Sequence, residues 1–202
     1  MFALIENQQI TKFYNSNKGV IIGDNQYPKS IFTLWSEAQR NAIGIFEVTV
    51  DTTNKKDEQW YINTNVSYGV ESNKAVGSYG IATAKAHADT LFTAQDETDG
   101  LGTEGEVKTR GLKYNLIKTI KKQAAGILQD TDWYIVRKAD AGTAVPSAIT
   151  THRAAVRTKA ASMETAITNA SDTPALETLY TYTRQEDGSV TRPLGEFPVL
   201  EN

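Results

Sequence analysis

Over the first eighty residues the apolar positions come in short runs, often alternating with polar ones, and the pattern predicts strands. Phe2 to Ile5 and Gln9 to Tyr14 flank the polar Glu6-Asn7-Gln8, which predicts a hairpin. Val20-Ile21-Ile22 follows a punctuation of Asn15 to Asn17 and Gly19. Pro28 closes that region and opens a helix in which Ile31, Leu34, Trp35 and Ala38 recur at helical spacing, with Gly44 suited to its C-terminal cap. Ile45 to Val50 reads as a strand, the polar Asp51 to Glu58 as a loop, and Trp60 to Ile62, Val66 to Val70 and Ala75 to Ile81 as three more short strands.

After residue 82 the rhythm changes. The alanine-rich Ala82 to Ala94 predicts a helix, and Gln95 to Glu106 an acidic, glycine-bearing loop. From Lys108 to Gln129, Leu112, Leu116, Ile117, Ile120, Ala124, Ile127 and Leu128 share one broad helical face. Asp130 to Lys138 reads as a turn into a β-rich run, Asp140 to Thr143 as a loop, and Pro146 suits the first turn of a last helix reaching Thr168. In that helix Ile149, Arg153, Val156, Ala160, Met163 and Ile167 alternate by four and three, a heptad seam broken only by Arg153. Two readings of the seam stay open: packing on the long basic helix of the same chain, or self-association about a symmetry axis. Asn169 to Asn202 holds three of the five prolines and little periodicity, and predicts an extended arm.

The expected architecture is therefore α+β. A small antiparallel β-rich part covers residues 1–82, a mainly helical part with a helix–strand–helix unit covers 83–168, and the arm covers 169–202.

Composition narrows the chemistry. Among 202 residues there is no cysteine, so disulfides, thiolate metal sites and thiol nucleophiles are excluded. The two histidines, His87 and His152, lack a partner at metal-ligand spacing, and no metal or cofactor is expected. Asp130-Thr131-Asp132 is followed by Trp133-Tyr134-Ile135-Val136, apolar where a calcium loop needs oxygen donors. No nucleophile elbow occurs, and Gly100-Leu-Gly-Thr-Glu-Gly105 lacks the Lys-Ser/Thr ending of a phosphate loop. Trp60, Tyr61, Tyr68 and Tyr79 suit either cross-strand packing or a sugar- or peptide-binding sheet face. No apolar run reaches membrane-spanning length.

The net charge of −3 hides segregation. Lys85 to Glu106 holds six acids against one lysine, residues 107 to 129 six bases and no acid, and the stretch from 171 onward six acids and two arginines. Complementary packing between neighbouring segments is the simplest reading, and contact between acidic arm and basic helix across subunits is the sharper one. The lysines lack interleaved aromatics, so no nucleic-acid partner is expected.

One block resembles a known family. Ile127-Leu-Gln-Asp-Thr-Asp-Trp-Tyr-Ile-Val-Arg-Lys-Ala-Asp140, then Ala144-Val-Pro-Ser147, then Arg153-Ala-Ala-Val-Arg157, is similar to the phage tail assembly chaperone-like module, over about residues 107 to 168. The start Met-Phe-Ala-Leu-Ile-Glu-Asn, the Tyr27-Pro28 step, Gly44-Ile-Phe-Glu-Val48 and Arg192-Pro-Leu-Gly-Glu-Phe-Pro198 resemble segments of small tail-fibre-associated proteins of tailed phages. The resemblance implies a non-enzymatic tail component, made in a host cytoplasm and resident in the virion. It implies partners among fibre, baseplate or collar subunits, and a homo-oligomer in a symmetric assembly. A transient tail-assembly chaperone and a glycan-binding tail module are the alternatives. Candidate interaction residues are Trp133, Tyr134, Arg137, Arg153, Arg157, Met163 and Phe197, the aromatics as buried area where the basic helix exits and the arginines for carboxylates on a neighbour.

Overall fold

A computed structural model describes residues 1–200 and divides the chain into two compact units, Met1–Thr83 and a second beginning at Ala84. The α+β class matches the sequence reading.

In the first unit, strands β1 (Phe2–Glu6) and β2 (Gln9–Tyr14) form the expected hairpin. Its turn residues Asn7 and Gln8 both have positive φ, 52° and 62°, which matches the right-handed twist of the strands at a cost in local strain. A second hairpin pairs β3 (Val20–Ile22) with β4 (Asn25–Tyr27), whose polar Asn25-Gln26 carries no apolar signal. The helix expected after Pro28 is two: α1 (Ile31–Leu34) and α2 (Glu37–Ala42). Ser36 divides them, because its hydroxyl accepts from Gln39 N while the Gln39 side chain accepts from Ser36 N, a reciprocal cap that starts a new helix. The extended Trp35 between them packs edge-on against Tyr27, ring centroids 5.9 Å apart.

Strands β5 (Ile45–Asp51), β6 (Tyr61–Ile62), β7 (Val66–Glu71) and β8 (Lys74–Tyr79) follow. Five strands form one sheet in the order β2-β1-β5-β8-β7. It is not wholly antiparallel as expected. The chain between β5 and β8 makes a hairpin of β7 and β8, which returns β8 to run parallel to β5. The sheet curls so that edge strands β2 and β7 approach each other. Phe13 and Tyr68 meet edge-on there at 4.9 Å, and Gln8 Nε2 donates to Asn73 Oδ1 at 2.8 Å across the two hairpin turns. Phe2, Leu4, Tyr14, Val20, Ile31, Phe32 and Ile45 form the core. Gly44, at φ 83°, passes so close that a Cβ would lie 3.2 Å from Ile5 O.

The second unit corrects three expectations. Residues 82–93 are non-helical, with β9 (Thr83–Ala84) and β10 (Thr90–Leu91) in place of the expected helix. Their carbonyls serve distant donors: Lys85 O accepts from Thr173 Oγ1, Ala86 O from Leu112 N and His87 O from Lys113 N. Leu112 and Lys113 open helix α4 (Leu112–Gln129), whose first N–H groups have no partner inside the helix. The preceding Gly111 has no side chain to cap them, and the non-helical segment does so instead. A Cβ on Gly111 would fall 2.3 Å from the Ala88 carbonyl, so only glycine allows the approach. Between them lie α3 (Ala94–Thr98) and β11 (Val107–Thr109), the latter paired with β10.

The second correction is that residues 132–141 are helix α5 (Asp132–Ala141), so the unit is helix–helix–helix with α6 (Ser147–Asn169), and no strand intervenes. Gly142, left-handed at φ 69°, ends α5. α4 and α6 pack against each other antiparallel, with Lys113 Nζ on Thr168 O, Lys121 beside Glu164 and Arg153 at Leu128 O. All six seam residues of α6 are buried, so the intrachain reading of the seam holds.

The third is that the stretch from 169 is not a bare arm. Asp172 caps α7 (Thr173–Tyr180) through Ala175 N, with proline in its first turn, and buries Thr173 and Leu176. A hairpin of β12 (Thr183–Arg184) and β13 (Val190–Thr191) follows, and Leu194 is buried with its N–H on Leu179 O.

Candidate interaction surface

α5 runs on from α4 through a two-residue turn, Asp130-Thr131, and it contains no buried side chain. The cause is its apolar spacing. Trp133, Tyr134, Ile135 and Val136 are consecutive, and at 3.6 residues per turn four such positions sweep roughly 300° of the helix. One face cannot bury them all. Trp133 is 51% exposed, Ile135 43% and Val136 65%. The Trp133 and Tyr134 rings lie 4.0 Å apart, and the Arg137 guanidinium sits over both, 4.6 Å and 5.5 Å from the centroids. A Trp one helical turn before an Arg places the cation over the ring, an arrangement worth about 0.5–1 kcal/mol at an exposed site. Among the described residues Arg137 has no carboxylate partner.

The expectation that Trp133 and Tyr134 bury large area at the helix exit is therefore corrected: Tyr134 is half-buried and Trp133 faces solvent. Arg153 goes the other way. It is buried, and its guanidinium donates to Leu128 O and Thr131 Oγ1 at 2.7 Å and to Asp132 Oδ1 at 2.8 Å. It thereby fastens the last turn of α4, the turn after it and the first residue of α5, and the carboxylate it takes lies in its own chain. Met163, 1% exposed, is core. Arg157 is exposed on α6. Phe197 is half-buried and lines a cleft of about 320 Å³ together with Ile127 and His152. The structure thus unites Trp133, Tyr134 and Arg137, and removes Arg153 and Met163 from the available surface. Sequence reasoning passed over Ile135 and Val136 as part of the surface, and four successive bulky apolar residues were the signal for them.

The charge segments are partly neutralised within the unit. Lys108 pairs with Asp96 and Arg110 with Asp89, both at 2.6 Å. The Lys108 hydrogen bond, with those from the Thr93 backbone and hydroxyl, holds the Asp96 carboxyl down at about 2. The Gly111 N–H and then Arg110 lower that of Asp89.

Trp60 and Tyr61 are buried in the first unit and offer no sugar-stacking face, whereas Tyr68 is exposed beside Phe13. Among the described residues no group of His, Asp and Glu could hold a metal, and no helix is long and apolar enough to cross a membrane. No known family profile, curated protein or solved structure matches this chain.

Proposed function

We propose that this chain is a non-enzymatic bacteriophage tail protein, an adaptor that joins tail, baseplate or fibre subunits in the virion. One observation carries the adaptor reading: α5 is a helix with no buried side chain, carrying Trp133, Tyr134 and Arg137 in one stack. Covering the exposed parts of Trp133, Ile135 and Val136 would add a fraction of the ~1.5–3 kcal/mol that full burial of a large apolar side chain contributes. Trp, Tyr and Arg are also the residue types that dominate binding energy at protein interfaces. The phage assignment rests on the similarity of the 127–157 block to the tail assembly chaperone-like module.

The test is mass spectrometry of purified virions of the phage encoding this chain, with pull-down from infected cells by wild type and Trp133→Ala/Val136→Ala. The adaptor reading expects the chain in virions and loss of tail subunits from the variant's pull-down. Its absence from virions, with tail subunits still captured in cells, would replace the adaptor by a transient chaperone. Capture unaffected by the variant would remove α5 as the surface.

A further inference from the structure

The charges of α5 are ordered along its axis. Asp132 stands in the first turn, Lys138 in the last with Arg137 just before it, and the apolar residues lie between. That order suits the dipole of the helix itself. It also makes the exposed face its own complement. When two copies of α5 run antiparallel with Ile135 opposite Ile135, Asp132 of each falls opposite Lys138 of the other, and Trp133 opposite Arg137. Both pairs are spaced evenly about residue 135.

The positions around the axis agree. At 100° per residue, Asp132, Ile135, Val136 and Ala139 share one stripe, and all four are exposed. The small Ala139 lets a second helix come close. Trp133 and Arg137 lie on one flank of the stripe and Lys138 on the other. A two-fold axis across antiparallel helices sets each flank against the same flank of the other copy, so Trp133 meets Arg137 rather than Lys138. The groups are available as well. Among the described residues neither Arg137 nor Lys138 has a carboxylate partner. Asp132 gives only Oδ1 to Arg153, and its side chain is more than half exposed.

We infer that α5 pairs with α5 of a second copy, antiparallel about a two-fold axis at Ile135. Each cross-contact then forms twice, as a two-fold interface requires. A parallel pair would set Asp132 on Asp132 and Lys138 on Lys138, so charge selects the antiparallel form. Ten residues make α5 about 15 Å long, too short to bury the roughly 1,200–2,000 Å² of a permanent interface. The pairing is therefore weak and concentration-dependent. It rests on the reading of α5 as a contact surface, not on the phage assignment, and a tail subunit is the competing occupant.

Sedimentation of the purified full chain should show a monomer–dimer equilibrium with a dissociation constant below about 1 mM. Lys138→Glu sets two acids face to face twice and should weaken the dimer severalfold. Asp132→Lys/Lys138→Glu should recover most of that loss, with circular dichroism confirming that both variants keep their helices. The lack of cysteine provides a second reading that leaves the charges in place. Treated with a short bismaleimide, Ile135→Cys should give covalent dimer in severalfold excess over Val190→Cys, an exposed position in β13. A chain monomeric up to about 1 mM overturns the pairing. So does a dimer indifferent to Lys138→Glu, a folded double variant that recovers nothing, or cross-linking at 135 no greater than at 190. The pull-down from infected cells separates this from the adaptor reading. A monomeric chain that still captures tail subunits through α5 loses only the pairing, and a dimer whose capture ignores Trp133→Ala/Val136→Ala loses only the tail-subunit surface.

Discussion

Helices α5 and α6 follow each other in the chain, and both are rich in apolar residues, yet they do opposite things. α6 buries Ile149, Val156, Ala160, Met163 and Ile167 and takes Arg153 inside with them. α5 buries nothing. The difference is spacing. Steps of four and three keep the α6 residues on one stripe, whereas the four consecutive apolar residues of α5 wind around the axis. The arginines follow suit. Arg153 satisfies backbone and side-chain acceptors in a buried site, and Arg137 rests on aromatic rings at the surface. Apolar content alone therefore does not place a helix in a core; its phase does.

That contrast can be broken most severely in α6. Ile167→Ala or Met163→Ala should each lower stability by about 2–5 kcal/mol, because both side chains are fully enclosed and leave a cavity. Urea or guanidinium unfolding of the full chain measures this, and a loss near zero would mean that the seam is not core.

Arg153→Met should cost about 3 kcal/mol, since Leu128 O and Thr131 Oγ1 lose a charged donor in a buried site. Asp132→Ala should cost no more than about 1 kcal/mol, because that carboxylate is 55% exposed and Arg153 keeps its other acceptors. Equal losses for the two would contradict the view that the arginine acts chiefly as a cap for α4.

Trp133→Ala sharpens the contrast from the other side. Stability should change by less than about 1 kcal/mol, the cation–π and stacking contribution at an exposed site. A loss as large as that of Ile167→Ala would place Trp133 in a core.

The smallest effect concerns Asp96. Its pKa of about 2 lies below the ordinary 3.8, so its ion pair contributes to stability above the ordinary value. That contribution fades as pH falls from there through about 2. Lys108→Met should move the carboxyl midpoint back up, read from the Asp96 side-chain carbon shift by NMR. An unmoved midpoint would show that Thr93 alone holds it.

Much of the fold was legible in the sequence. The β1–β2 hairpin, β5, α4 and the seam of α6 all follow from local periodicity. What escaped was decided by partners outside any local window. Ala82 to Ala94 has helical composition, but its carbonyls at Lys85, Ala86 and His87 are committed to Thr173, Leu112 and Lys113. Residues 132–136, aromatic and β-branched in a row, carry strand propensity, yet they continue from α4 with Arg153 fastening the junction. The surface was legible in part. Trp133, Tyr134 and Arg137 stood out by residue type, but the strand reading of 130–138 hid the one-turn spacing that stacks them, and Arg153 and Met163 showed a stripe without showing which side of it faces protein. The irregular segment around Phe197 gave no periodic signal at all.

The curled sheet of the first unit bears on how the chain behaves when crowded. A free edge strand offers unpaired N–H and C=O groups on which another molecule can add a strand, the first step toward aggregates. Here the two edges, β2 and β7, have each other for neighbours, bridged by the Phe13–Tyr68 rings and the Gln8–Asn73 amides. An incoming chain would have to part that bridge before finding a template. The bend that looks like a detail of topology is thus a guard against edge-to-edge aggregation.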